Sequence, residues 1–173
     1  KISVLFLASI ILIGCETALR YSDLKLLRKE HINVIDKKIR MENKKTQKKV
    51  VIPISTIAIN ILHKYDYNSP IFGGKSITDF NKGIKDICKK AGLTTNVVLY
   101  KTLKNKRLEI VHQKYELVSS HTCRRTFCTL KIIEGIPVSL IMKITGHKTE
   151  KSFFRYLKMD EETAADKMSE YID

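Results

Sequence analysis

Ser120-His121-Thr122-Cys123-Arg124-Arg125-Thr126 sets an imidazole and two adjacent guanidinium groups at the opening of a helix. The apolar spacing carries that helix from about Thr122 to Glu134, where Gly135-Ile136-Pro137 ends it. Two other stretches offer similar phosphate-handling groups beside a helix or turn. One is Thr17-Ala18-Leu19-Arg20-Tyr21-Ser22-Asp23; the other is Thr145-Gly146-His147, with Tyr156 nine residues beyond it. Taken singly, an Arg at a helix start is an ordinary surface charge and a Tyr in an amphipathic helix is ordinary core or interface. Their order along one chain is what sets them apart.

The pattern outward from these stretches predicts a mainly α-helical α+β domain with a small three-stranded antiparallel sheet and an extra hairpin. Ile2 to Ile13 reads as a helix apolar nearly all round and central in the core. Ser22 or Asp23 can cap a short helix ending near Arg28, with Leu24, Leu26 and Leu27 facing inward. Short β-like runs follow: Ile32 to Ile35, Ile39 to Met41, and Val50 to Ile52, with a basic tip from Asn43 to Lys49 between the last two. Ser55 to Tyr65 reads as a helix with Ile57, Ala58, Ile61 and Leu62 on one face, and Thr78 to Ala91 as another, stopped by Gly92. Residues 94–118 alternate and suggest a hairpin turning at Lys104-Asn105-Lys106-Arg107. Three short helices close the chain, over Val138 to Ile144, Lys151 to Leu157 and Glu161 to Tyr171.

With 173 residues, 43% of them hydrophobic, the chain is sized for one domain with a real core. Lys and Arg number 32 against 18 Asp and Glu, a net charge of +14 that points to a polyanionic partner, nucleic acid first. The charge is uneven. Residues 37–49 hold seven basic residues and one Glu, residues 101–107 hold four and no acid, and residues 160–173 reverse the sign with six acids. Two basic hairpin tips suit contacts to a DNA backbone. Cys15, Cys88, Cys123 and Cys128 form no C-x-x-C pair and match no common zinc spacing, so they read as reduced, mostly buried thiols. Residues 1–15 imitate a lipoprotein signal ending Leu12-Ile13-Gly14-Cys15. The run is too short to span a bilayer, lacks a polar tether after Cys15 and opens on Lys, so the expected reading is a core helix of an excised fragment.

The ordered set Thr17 to Asp23, a Lys-bearing hairpin, His121-Thr-x-Arg124-Arg125, Gly146-His147 and Tyr156 closely resembles the tyrosine recombinases, the integrases similar to that of phage lambda. The likeness covers their catalytic domain end to end. Val118-Ser-Ser-His121 and the Lys-Thr hairpin further resemble integrases of Bacteroides-type mobile elements. The resemblance implies that Tyr156 attacks a DNA phosphate to give a 3′-phosphotyrosine, while Arg20 and Arg124 take the non-bridging oxygens. It implies Lys45 as the acid for the leaving 5′-oxygen, with Lys44, Lys48 and Lys49 as close rivals because the hairpin register is open. His121 is expected to accept the tyrosine proton or donate a hydrogen bond, and His147 to donate to a phosphoryl oxygen. Asp23 is expected to brace the site or, equally, to cap a helix. Ala18 stands where the family usually has Gly.

Arg125, Lys104, Lys106 and Arg107, with Lys44, Lys48 and Lys49, are the expected DNA-backbone contacts. His31, His63 and His112 fall outside every motif. No metal or cofactor is implied, since guanidinium and ammonium groups supply the positive charge. The expected partners are double-stranded DNA and further protomers, monomeric when free and tetrameric in a synapse, with no membrane; the expected location is the cytoplasm, at the nucleoid. Residues 1–173 are read as the catalytic domain, the family's N-terminal core-binding and arm-binding domains lying outside it. The competing readings are a type IB topoisomerase-like relaxing enzyme and a catalytically inactive DNA-binding accessory factor.

Overall fold

The computed structural model describes residues 3–42, 44, 47, 49–65, 70–74, 76–104, 106–155, 157 and 161–172. Helix α1 (Val4–Thr17) runs through its centre. Ser3 starts it, its Oγ accepting from the Phe6 amide at 3.1 Å. Leu7, Ile10 and Ile13 are buried, but Val4, Leu5 and Leu12 are exposed. The expectation of burial all round is therefore corrected: one face of α1 packs in the core and another meets solvent. The helix also continues past Ile13 to Thr17, so Gly14 and Cys15 sit inside it. A Cβ added at Gly14 would stand 3.0 Å from the Cys123 Cβ on α5 (Ser120–Ile133), so these two helices touch through a residue with no side chain.

Helix α2 (Tyr21–Leu24) is a single turn with Arg20 at its N-cap, not the longer helix expected to reach Arg28. Packing explains the difference. Leu24 and Leu27 are buried, and the Leu27 carbonyl accepts from the Ile71 amide at 2.8 Å, which diverts the chain from helical pairing. After a 3-10 turn over Lys29–His31 comes the expected sheet, with strands β1 (Ile32–Asn33), β2 (Lys38–Glu42) and β3 (Lys49–Pro53) antiparallel in that order. Ile39 pairs with Ile52 and Met41 with Val50, all buried, while Arg40 and Val51 point to solvent as strand alternation requires.

Helix α3 (Thr56–Leu62) is capped by Ser55, whose Oγ accepts from the Ala58 amide. Its buried stripe is Ala58, Ile59 and Leu62, one position round from the expected one; Ile57 is exposed. Helix α4 (Ile77–Lys90) buries Phe80 and Ile84, and Phe80 stacks on Tyr21 at 4.5 Å between ring centroids. Among the described residues strands β4 (Asn96–Leu103) and β5 (Lys106–Gln113) pair only with each other, forming the expected extra hairpin. Helix α5 starts at Ser120, two residues before the expected Thr122, because its first amides find partners: Ser119 N donates to Thr122 Oγ1 at 3.0 Å and Ser120 N to Asn81 Oδ1 of α4 at 2.8 Å. Helices α6 (Val138–Thr145), α7 (Glu150–Phe154) and α8 (Glu161–Ser169) complete the chain.

The larger core gathers α1, the sheet, α3 and α4, and a smaller one joins Ala18, Phe127, Cys128, Ile141 and Phe153. All four cysteines are free thiols, Cys123 and Cys128 buried and Cys15 and Cys88 half-buried. Among the described residues no helix is long and apolar enough to cross a membrane.

Candidate active site

Thr17 closes α1 by donating its hydroxyl to the Ile13 carbonyl at 2.7 Å. Ala18 then takes the left-handed conformation, φ 54 and ψ 14, which turns the chain toward Arg20. That conformation favours glycine, which accounts for the residue usual in the family this chain resembles. The turn leaves the Ala18 carbonyl facing α5, where Arg124 points inward with only 3% exposure. Arg124 Nη1 donates to Ala18 O at 2.6 Å and Nη2 donates to Thr145 O. One guanidinium thus joins the three segments that the sequence singled out. The planar fork suits this, because its donors point in fixed, divergent directions toward both carbonyls.

Thr145 is the last residue of α6, and Gly146 follows at φ 69, the left-handed position that ends the helix. His147 comes next, half-buried, with Nδ1 at 2.7 Å from Thr145 Oγ1 and its ring edge-on to Phe153 of α7 at 5.4 Å. Burial, and then the charges of Arg124 and Arg20, press its pKa down to about 4. Arg20 and Arg124 therefore both act on this imidazole. His121 lies one helical turn before Arg124 on α5, at the exposed end of the same face.

Asp23 is fully buried and does not cap a helix. Its Oδ1 accepts from the Lys44 amide at 3.0 Å, and Oδ2 has no hydrogen-bond partner among the described residues. The carboxylate therefore ties the β2–β3 turn to the helix that begins at Arg20. Lys44 is exposed in that turn, and exposed Lys49 opens β3 opposite Glu42. Lys45, Lys48 and Tyr156 lie outside the described residues. Lys104 sits at the β4–β5 tip at φ 46, and Lys106 and Arg107 follow it, all exposed, with the Arg107 guanidinium 3.9 Å from the Tyr100 ring centroid. Arg125 points away from its neighbour Arg124 and lines a 340 Å³ groove with Lys114, Thr122 and Thr126.

Arg20, Arg124 and His147 thus come together, His121 stands at their edge, and Lys104, Lys106 and Arg107 of the β4–β5 hairpin and Arg125 in its groove share no contact with them among the described residues. Sequence reasoning missed four partners. They are the Ala18 and Thr145 carbonyls and the Lys44 amide, which are main-chain groups with no side-chain signature, and the Thr145 hydroxyl, which stood in a quoted motif without a role.

The phage integrase family profile matches residues 5–163. A probable integrase/recombinase of Acholeplasma phage L2 is 24% identical over 158 residues, covering 91% of this chain and 50% of that protein. The crystal structure of XerA recombinase superposes with a TM-score of 0.73 at 16% identity, over 96% of this chain and 56% of that one. XerH site-specific recombinase, in a post-cleavage complex with palindromic difH substrate, gives 0.66 at 14% identity, over 100% of this chain and 48% of that one. The chain spans about half the length of these relatives, and the structural likeness is one of fold.

Proposed function

We propose that this chain, which belongs to the phage integrase family, holds the strand-cleaving centre of a site-specific DNA recombinase. In this reading the Tyr156 phenol attacks a backbone phosphorus and the bond to the 5′-oxygen breaks, leaving a 3′-phosphotyrosine that keeps the strand ready for religation. The phenol proton passes to His121, and the departing 5′-oxygen takes a proton from Lys45, with Lys44, Lys48 and Lys49 as rivals for that role. Religation runs the same steps backward with the 5′-hydroxyl of a partner strand. Arg20 and Arg124 lie against the non-bridging oxygens, where charge builds in the transition state. Asp23 acts at one remove, holding the turn that carries the acid.

The observation that carries the reading is the Arg124 guanidinium bound to the Ala18 and Thr145 carbonyls. It is a cation fixed in advance between the segments of Arg20 and His147, so little reorganisation is needed when a phosphate arrives. Lys104, Lys106, Arg107 and Arg125 contact the DNA backbone outside the reaction centre. The 173 residues act as a catalytic domain, with the rest of the DNA grip supplied by domains outside it. The partners are double-stranded DNA and other protomers on it, in a cytoplasmic, nucleoid-associated setting.

Trapping on nicked suicide duplexes from the ends of the parent element tests this, with wild type beside Tyr156→Phe on a denaturing gel. The expected result is a covalent protein–DNA band that vanishes in the Phe variant. A band that survives Tyr156→Phe moves the nucleophile elsewhere, with Tyr171 next to be tried. If the full-length protein also gives no band, the enzymatic reading fails.

A further inference from the structure

Helix α4 supplies no group to the proposed chemistry, yet two of its neighbouring residues hold segments that do. Phe80, 2% exposed, stacks on Tyr21 with 4.5 Å between ring centroids and 14° between ring planes. Tyr21 is the first residue of α2 and follows Arg20 directly. Asn81, half-buried, reaches α5, where its Oδ1 accepts from the Ser120 amide at 2.8 Å. Ser120 is the first residue of α5 and precedes His121 directly. The first amides of a helix have no partner within it, so an acceptor from outside fixes where the helix starts. At the head of α5 the Ser119 amide is bound by Thr122 of the same helix, and the Ser120 amide by Asn81 of another element. That second bond closes over 39 residues, a stretch that includes the whole β4–β5 hairpin.

We infer that Asn81 is a positioning residue for His121, setting the first turn of α5 from a helix that also holds the Arg20 segment. A main-chain N–H can only donate, so the Asn81 amide is oriented with Oδ1 toward Ser120 and Nδ2 away from it. An acceptor at that one atom is therefore what the position requires. His121 is exposed, so packing of its ring contributes little to its placement and the main chain of the turn contributes more. Because Phe80 and Asn81 adjoin, a shift of α5 relative to α2 works against either the stack or the hydrogen bond. The part His121 plays in cleavage rests on the proposed recombinase chemistry; the hold of Asn81 on α5 does not.

The hold is read first without DNA, by amide hydrogen exchange at Ser120. Asn81→Ala is expected to speed exchange there by about tenfold, the equivalent of one lost hydrogen bond. Asn81→Asp, which keeps an acceptor at the same reach, is expected to stay near wild type. The consequence for the reaction is read by single-turnover cleavage of the nicked suicide duplex by the full-length protein at saturating DNA. A smaller folded fraction lowers the amplitude there and leaves the rate alone, so a merely structural loss does not mimic the result. Asn81→Ala is expected to cleave about tenfold more slowly, and Asn81→Asp within about threefold of wild type. In a His121→Gln background Asn81→Ala is expected to cause no further slowing, because its effect passes through His121. Unchanged exchange at Ser120 in the Ala variant overturns the inference, as does an unchanged rate or equal slowing in both backgrounds. Should Asn81→Ala not fold, Asn81→Ser takes its place, with a hydroxyl too short to reach the amide. If wild type forms no Tyr156-dependent adduct, the recombinase reading falls, and exchange at Ser120 decides whether Asn81 sets the head of α5.

Discussion

Arg124 and His147 show how single residues divide the electrostatics of the site. Arg124 is nearly inaccessible, and a guanidinium taken out of water needs partners for its donors. It has the carbonyls of Ala18 and Thr145, which contribute partial charge without adding a second ion. His147 has the opposite problem, because the two arginines that suit an anionic ligand disfavour its own protonation. Folding lowers its pKa from 6.5 to about 4. The unfolded chain then binds the proton more readily, so this group is neutral in its effect above pH 6.5 and lowers stability as pH falls toward 4. The expected result is a thermal midpoint that drops through that window more steeply in wild type than in His147→Gln. Parallel curves for the two proteins would assign the loss to other groups. Partial exposure of the ring makes the drop smaller than the full shift implies.

At the scale of elements, the contact between α1 and α5 carries the site, because Ala18 ends one helix and Arg124 lies within the other. Gly14 lets them approach, and the space it leaves is filled by Cys123. A larger side chain there must push the helices apart and move the Ala18 carbonyl away from Arg124. Gly14→Val is expected to destabilise the fold by about 2 kcal/mol, read from urea midpoints, and to weaken cleavage beyond what the unfolded fraction explains. Unchanged stability would mean that the two helices accommodate the methyl groups without moving. The β2–β3 turn depends on the other short element, α2, through Asp23 and the Lys44 amide. This link spans 21 residues and connects a buried carboxylate to the main chain at Lys44, whose side chain is exposed.

Over the whole molecule, the charge of +14 is arranged in patches. Lys44 and Lys49 at the β2–β3 end and Lys104, Lys106 and Arg107 at the β4–β5 end are exposed, and α8 carries Glu161, Glu162 and Asp166. Among the described residues the β4–β5 hairpin pairs with no other strand, so its tip can reach a ligand without disturbing the core. If Lys104, Lys106 and Arg107 each neutralise a phosphate, replacing all three by Ala should reduce the slope of log affinity against log salt by about 2–3. A slope equal to wild type would remove the hairpin from the DNA interface. The triple variant should keep its thermal midpoint, since all three residues are exposed.

The sequence by itself determined the element types, the basic character and the order of the chemical motifs. These are local properties: the alternation of Ile39, Met41, Val50 and Ile52 shows a strand whatever it packs on, and Gly146 after Thr145 ends a helix through its own backbone freedom. Family membership was legible for the same reason, since short motifs in a fixed order need no coordinates. Where periodicity alone was used to choose a buried face it erred, placing Ile57 inward and covering Val4, Leu5 and Leu12. The tertiary structure decided which faces of α1 and α3 are covered, that α2 stops after one turn, and that Asp23 braces the β2–β3 turn instead of capping a helix. It also decided the wiring of the site, because Arg124 meets a carbonyl 106 residues away and another 21 residues away. Main-chain carbonyls are the same in every residue, and only folding brings particular ones within reach of a particular guanidinium.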